Sequence, residues 1–197
     1  MDLASIVRSK ADFLIGMRRR IHAHPELSGR EFETAALVRE ELTKAGIEWR
    51  PCGLQTGTLA EIRGAKPGRT VLLRADMDAL PVTETTGASF ASCNPGVMHA
   101  CGHDAHTATG VTLAHWITDH KDELKGRFRL IFQPAEEGVR GAKPWSPGAS
   151  PEAPTISGPS TSRPAFMRMR SSRARAASLR RKRSTSASTA PLNSARP

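Results

Sequence analysis

Leu3, Ile6, Val7, Leu14, Met17 and Ile21 recur at helical spacing, which predicts one amphipathic helix ending before Pro25. Ser28-Gly-Arg-Glu31 has capping-box spacing and predicts a second helix, with Phe32, Ala35, Val38 and Leu42 on its buried side and Gly46 as its stop. The period then shortens. Residues 58–62 predict a strand, 64–68 a turn, and 70–73 a short apolar run of the kind found in a buried strand. Residues 107–120 return to helical spacing, offering Val111, Leu113, Ala114 and Ile117 for packing, and 127–132 predict a further strand. Strand and helix alternate, so the fold class is α/β.

From Pro144 the periodicity stops. Residues 144–197 contain twelve Ser, eight Pro and ten Lys/Arg, with few large apolar side chains. Such a composition does not bury enough surface to offset its ordering entropy, so the segment is expected to be disordered. It also explains the charge. Its single acid is Glu152, so it carries +9 of the net +10 and leaves residues 1–143 close to neutral. Cys52, Cys93 and Cys101 form no CxxC pair and no even disulfide set, which fits a reducing compartment. The N-terminus shows no secretory pattern, and nothing approaches the ~18 apolar residues of a membrane span. The expectation is a soluble, cytoplasmic protein.

The chemistry concentrates in two places. Met98-His-Ala-Cys-Gly-His-Asp-Ala-His106 packs a thiol, an aspartate and three imidazoles together, and Glu136-Glu137 follows the last predicted strand. These side chains hold borderline-soft divalent metals, and a paired glutamate suits metal-assisted hydrolysis. Cys101 and His103 flank Gly102, which lets both turn toward one ion. Asp104 and His106 can be ligands or can orient the imidazoles; Asp76 and Asp78 can cap the next element, and Asp76 can instead orient an imidazole. Of Glu136 and Glu137, one can bind metal while the other takes a proton from the attacking water. His22 and His24, next to Pro25, read as structural, as do His115 and His120 on their helix. Open α/β sheets place ligands at the carboxyl ends of strands, where both segments and Arg74-Ala-Asp76-Met-Asp78 fall.

These residues resemble the metal-dependent amidohydrolase/carboxypeptidase family that includes hippurate hydrolase, N-acyl-amino-acid amidohydrolases and auxin-conjugate hydrolases. The likeness runs through Arg18-Arg-Arg-Ile-His-Ala-His-Pro-Glu-Leu-Ser28, Leu73-Arg-Ala-Asp-Met-Asp-Ala-Leu-Pro81, residues 94–106 and Ile131-Phe-Gln-Pro-Ala-Glu-Glu-Gly138, in the family's order, over about residues 1–143. It implies a zinc-peptidase-like catalytic domain, with a mixed sheet flanked by helices. It also implies a site for two divalent ions (Mn, Zn or Co) that polarise the amide carbonyl and acidify water. Cys101, His103 and Glu137 would be ligands. Glu136 would be the general base that later delivers the proton to the leaving amine. The implied substrate is a small N-acyl or N-aroyl amino acid, and intact relatives would be homodimers.

The chain departs from the family in one respect. Two further ligand histidines are expected downstream, and no histidine follows His120. The expected domains are therefore a partial catalytic domain over 1–143, inactive by itself, and a tail over 144–197. Residues 144–157 can be encoded by codons that, with one extra G before them, spell Ala-Met-Val-Ala-Gly-Gly-Val-Ala-Gly-Gly-Ala-Asp-Tyr-Phe, which resembles the family's continuation. A one-base frame break near codon 144 is the expectation. Two alternatives are a metal-binding domain with a nucleic-acid-binding arm centred on Arg180-Arg-Lys-Arg183, and a non-catalytic pseudoenzyme.

Overall fold

A computed structural model describes residues 3–138 of the chain. The tail assigned to 144–197, with its expected disorder, lies outside the described residues. Among the described residues, four helices and four strands run in the order α1 (Leu3–Ser9), α2 (Ala11–Ala23), α3 (Phe32–Lys44), β1 (Glu48–Cys52), β2 (Leu54–Arg63), β3 (Lys66–Asp76), α4 (His103–Asp119) and β4 (Lys125–Gln133). The sheet order is β1-β2-β4-β3. β2 pairs antiparallel with both β1 and β4, whereas β3 and β4 run parallel. The fold is α/β and the sheet is mixed, as the family resemblance implied.

Parallel neighbours need a crossover, and α4 supplies it. The pairing Asp76↔Gln133 brings β3 and β4 to a common end, where the Met77 N–H donates to the Gln133 carbonyl at 3.0 Å. The chain leaving β3, the start of α4 and the chain leaving β4 therefore meet at one edge, as parallel units arrange their ligand sites.

Helix α2 ends as predicted, before Pro25. The expected single N-terminal helix is instead two, interrupted at Lys10, whose ammonium reaches Asp119 of α4 at 2.8 Å. Met17 and Ile21 are buried, whereas Val7 is 68% exposed, and the side chains of Leu3 and Ile6 lie outside the described residues. The capping box does not form. Helix α3 begins only at Phe32, and it is Glu26 that accepts from the Glu33 and Thr34 N–H groups at 3.0 and 2.8 Å. Ser28 and Glu31 turn elsewhere, as described below. Ala35, Val38 and Leu42 are buried as expected, but Phe32, at the helix start, is exposed. The run 70–73 is not a buried strand either. β3 forms one edge of the four described strands, and Val71 and Leu72 are exposed. The turn expected at 64–68 is partly strand, because β3 already starts at Lys66. The residues of β1 gave no apolar alternation to detect.

The main core lies between one face of the sheet and helices α2, α3 and α4. Ile21, Val38, Leu42, Val111, Ala114, Leu130 and Phe132 fill it. Each large side chain buried there contributes about 1.5–3 kcal/mol of transfer free energy. Small residues let α4 approach closely: a β-carbon on Gly110 would stand 2.9 Å from the Phe132 ring and 3.2 Å from the Ala75 methyl. On the opposite face Cys52, Leu59 and Ile131 form a smaller cluster, and Glu61 bridges Arg127 and Arg129 at 3.3 and 2.7 Å. Among the described residues no helix is long and apolar enough to cross a membrane.

Candidate metal centre

Gly102 ends the loop after β3 in the left-handed conformation (φ 86°), so α4 starts one residue later, at His103. The helix thus begins four residues earlier than predicted, and both His103 and His106 lie in its first turns. His103 is buried. Its Nδ1 lies 2.9 Å from the Asp78 carbonyl and 3.2 Å from Asp78 Oδ1. Both are acceptors, so Nδ1 carries the proton and the lone pair of Nε2 is free to bind an ion. That Nε2 faces Glu137 Oε1 at 3.9 Å.

Asp78 is the organising group. It is 1% exposed and accepts from Ser28 Oγ at 2.6 Å and from the Glu137 N–H at 2.9 Å, besides the imidazole. Burial pushes its carboxyl up, but the hydrogen bonds from His103, Ser28 and the Glu137 and Glu136 amides outweigh it and hold it well below the usual carboxylate range. One side chain thus orients a prospective ligand and holds the loop that carries the glutamates. The loop is tight: a β-carbon on Gly138 would meet Ser28 Oγ at 3.2 Å. Ala135, just before the pair, sits in the left-handed region at φ 54°. That conformation costs about 1–2 kcal/mol for a residue with a β-carbon.

Cys101 hydrogen-bonds to Glu137. That bond, with burial and the charges of Glu137, Glu136 and Asp78, pushes its thiol up to about 11. His103 is pulled down by burial, but the Asp78 hydrogen bond and the Asp76 and Asp78 charges more than reverse this and raise it. Ligand atoms of His103, Glu136 and Glu137 lie within 4.8 Å of one another. The imidazole and the two carboxylates thus converge, whereas the Cys101 thiol is in neither compact group and reaches this one only through Glu137, where the surrounding negative charge holds a proton on the sulfur. This donor set fits a divalent cation, whose charge would reverse the thiol's shift.

A second group, Asp76, His103 and His106, is equally compact. It shares His103, which has only Nε2 to give, so the two groups are alternatives rather than two sites. The Asp76 carboxylate also lies 3.0 Å from Arg74 Nε, a cation already in place. His106 is exposed, stacks on His103 (ring centroids 5.4 Å apart) and lies 3.6 Å from Asp76. Asp104 orients a different imidazole from the one nearest in sequence. Fully buried, it accepts from His22 Nδ1 at 2.8 Å and from Arg18 Nε at 3.0 Å, tying α2 to α4. The other nitrogen of His22 meets Glu84 at 3.2 Å, so His22 is structural. His115 and His120 bond to backbone carbonyls of Glu41 and Trp116.

The residue order gave no site role to Asp78, Glu31 or His99, although it placed Asp78 beside Asp76, Glu31 in a capping box and His99 among the three imidazoles. His99 is 4% exposed, and neither ring nitrogen has a hydrogen-bond partner among the described residues. Burial pushes it down to about 4, against the opposing charge of Asp104. A base depressed in the fold is protonated first in the unfolded chain. Its contribution is therefore present above the unfolded value near 6.5 and is lost as pH falls toward 4. Lowering the pH from 7 to 4.5 is expected to remove about 2 kcal/mol through this group. Asp78 keeps its charge throughout. Urea unfolding at both pH values, on the protein and on His99→Leu, measures it; an equal acid loss in the variant would exclude His99 as the cause.

A mixed α/β sheet with imidazole and carboxylate donors gathered where its parallel strands end has the layout of a metal-binding α/β domain. Residues 72–165 match peptidase family M20/M25/M40, so this stretch of the chain is an M20 family domain. It is 52% identical over 145 residues to thermostable carboxypeptidase 1 of Saccharolobus solfataricus, covering 72% of this chain and 37% of the relative. It is 51% identical over 129 residues to N-acetyl-L-cysteine deacetylase of Bacillus subtilis, covering 66% and 31%. The fold matches a crystal structure of a dinuclear metal-binding M20 peptidase from Bacillus subtilis with a TM-score of 0.62 and 46% identity, over 72% of this chain and 39% of that one. The chain spans about a third of the length of the curated relatives it matches.

Proposed function

We propose that this chain carries the metal-binding half-site of an amidohydrolase acting on N-acyl amino acids, with Cys101, His103 and Glu137 as ligands and Glu136 as general base. The observation that carries the reading is the convergence of His103 Nε2 with Glu136 and Glu137, and of Cys101 with Glu137, at the common end of β3, β4 and α4. The N-acetyl-L-cysteine deacetylase relative supports the substrate class. A bound divalent ion (Mn, Zn or Co, two in the intact site) would supply Lewis-acid stabilisation of the charge that develops on the amide oxygen. Glu137 is tied to Asp78 through its N–H and to Cys101 through its carboxylate, so it is the glutamate committed to the ligand set. Glu136, exposed at the turn, is free to take a proton from the attacking water and return it to the leaving amine. Cys101 has to stay reduced in this role, which favours a reducing compartment such as the cytoplasm.

Binding of Co²⁺ to the full chain is expected to give a thiolate-to-cobalt absorption band that disappears in Cys101→Ser and persists in Glu136→Gln. Release of amino acid from hippurate or N-acetylcysteine with added Mn²⁺, reduced about 10²–10⁴-fold in Glu136→Gln, would extend the reading to the reaction itself. Cobalt binding that does not depend on Cys101, or no binding, overturns the assignment.

A further inference from the structure

Glu31 is 0% exposed, and no Lys, Arg or His forms an ion pair with it among the described residues. Its carboxylate instead gathers three segments that are distant in sequence. Oε1 accepts from the Gly29 N–H at 2.7 Å and from the Ala135 N–H at 2.9 Å, while Oε2 accepts from Thr56 Oγ1 of β2 at 2.8 Å. Ala135 is the one non-glycine residue with positive φ among the described residues, and it immediately precedes Glu136. Its amide has no strand partner to hold it, because β4 ends at Gln133. The turn bearing both glutamates is therefore clamped at two points: Asp78 holds the Glu137 N–H, and Glu31 holds the Ala135 N–H.

We propose that Glu31 is the positioning residue of this turn. Its Oε1 fixes Ala135 in the left-handed conformation and so aims Glu136 and Glu137 at His103. This rests on the metal-site reading above. Positioning by reach makes a specific demand: side-chain length must matter and charge must not. Glu31→Asp keeps the charge and burial but draws the oxygen back from Ala135. Glu31→Gln keeps the length, and its amide oxygen can accept the same two N–H groups while its NH₂ meets Thr56 Oγ1.

Two readouts on the full chain decide it: amide hydrogen exchange at Ala135 without metal, and Co²⁺ affinity by chelator competition. Glu31→Asp is expected to lose protection at Ala135 and to weaken Co²⁺ binding about 10-fold, the scale of a lost orienting contact. Glu31→Gln is expected to stay near the parent in both. Thr56→Val, which strips Oε2 of its partner, should lower stability without either effect. A Glu31→Asp protein that matches the parent overturns the proposal, as does Glu31→Gln failing as badly as Glu31→Asp, or Thr56→Val reproducing the metal loss. Absence of a Cys101-dependent cobalt band would instead sink the metal reading, while exchange at Ala135 still decides whether Glu31 anchors the turn.

Discussion

Replacing Asp78 with Ala is expected to weaken divalent-metal binding by about 10–100-fold and to lower the unfolding free energy by about 3 kcal/mol. The two effects share one origin. Removing the carboxylate leaves Ser28 Oγ, the Glu137 N–H and part of the His103 Nδ1–H bonding unmet, in a place with little access to water. His103 is then held only by the Asp78 carbonyl, and the glutamate turn loses its second clamp. Asp76→Ala is the informative comparison, since Asp76 faces Arg74 and the exposed His106. Its effect on metal affinity is expected to stay within about 3-fold, below the range for an orienting partner. Metal titration and urea unfolding of both variants test this. A larger loss of affinity in Asp76→Ala would move the ion to the Asp76–His103–His106 group.

Gly110→Ala should destabilise the fold by about 1–2 kcal/mol, although the same change in an unobstructed helix stabilises by about 0.5–1 kcal/mol. The added methyl would sit 2.9 Å from Phe132 Cε1, closer than real β-carbons approach, and 3.2 Å from Ala75. Phe132 is fully buried and cannot swing away, so α4 must lift from the sheet. Overpacking then outweighs the gain in helix propensity. Gly16, in α2, has open space where a methyl would sit, with nothing within 4 Å, so Gly16→Ala is expected to stabilise by about 0.5–1 kcal/mol. Opposite signs for the two substitutions in thermal or urea unfolding confirm the close α4–sheet contact; the same sign for both would refute it. Because α4 carries His103 at its first position, Gly110→Ala should also loosen metal binding.

Particular elements show how far the sequence could be read. The stripe Ala35, Val38, Leu42 and the run Leu130–Phe132 were legible because apolar periodicity reports directly which face is buried. Strand β1, with Glu48, Arg50 and Pro51, was not, because it is held by pairing with β2 rather than by an apolar face. Ser28 and Glu31 misled for a related reason. Their spacing satisfies a local helix start, but Asp78 and the Ala135 amide, more than forty residues away, offer both side chains buried partners. A local rule cannot see a competitor that only folding brings near.

The sequence alone determined the α/β class, the family resemblance and the set of side chains able to hold a metal, because these depend on residue type, period and order. It did not determine their grouping. That His103 gives Nε2 to the glutamates, that Asp104 serves His22 instead, and that Asp78 and Glu31 grip the glutamate turn from two sides were decided only by the tertiary structure. The physical reason is the parallel β3–β4 pair: its crossover returns the chain to one end of the sheet, so a contact of 2.9 Å there joins Glu31 to Ala135, 104 positions away.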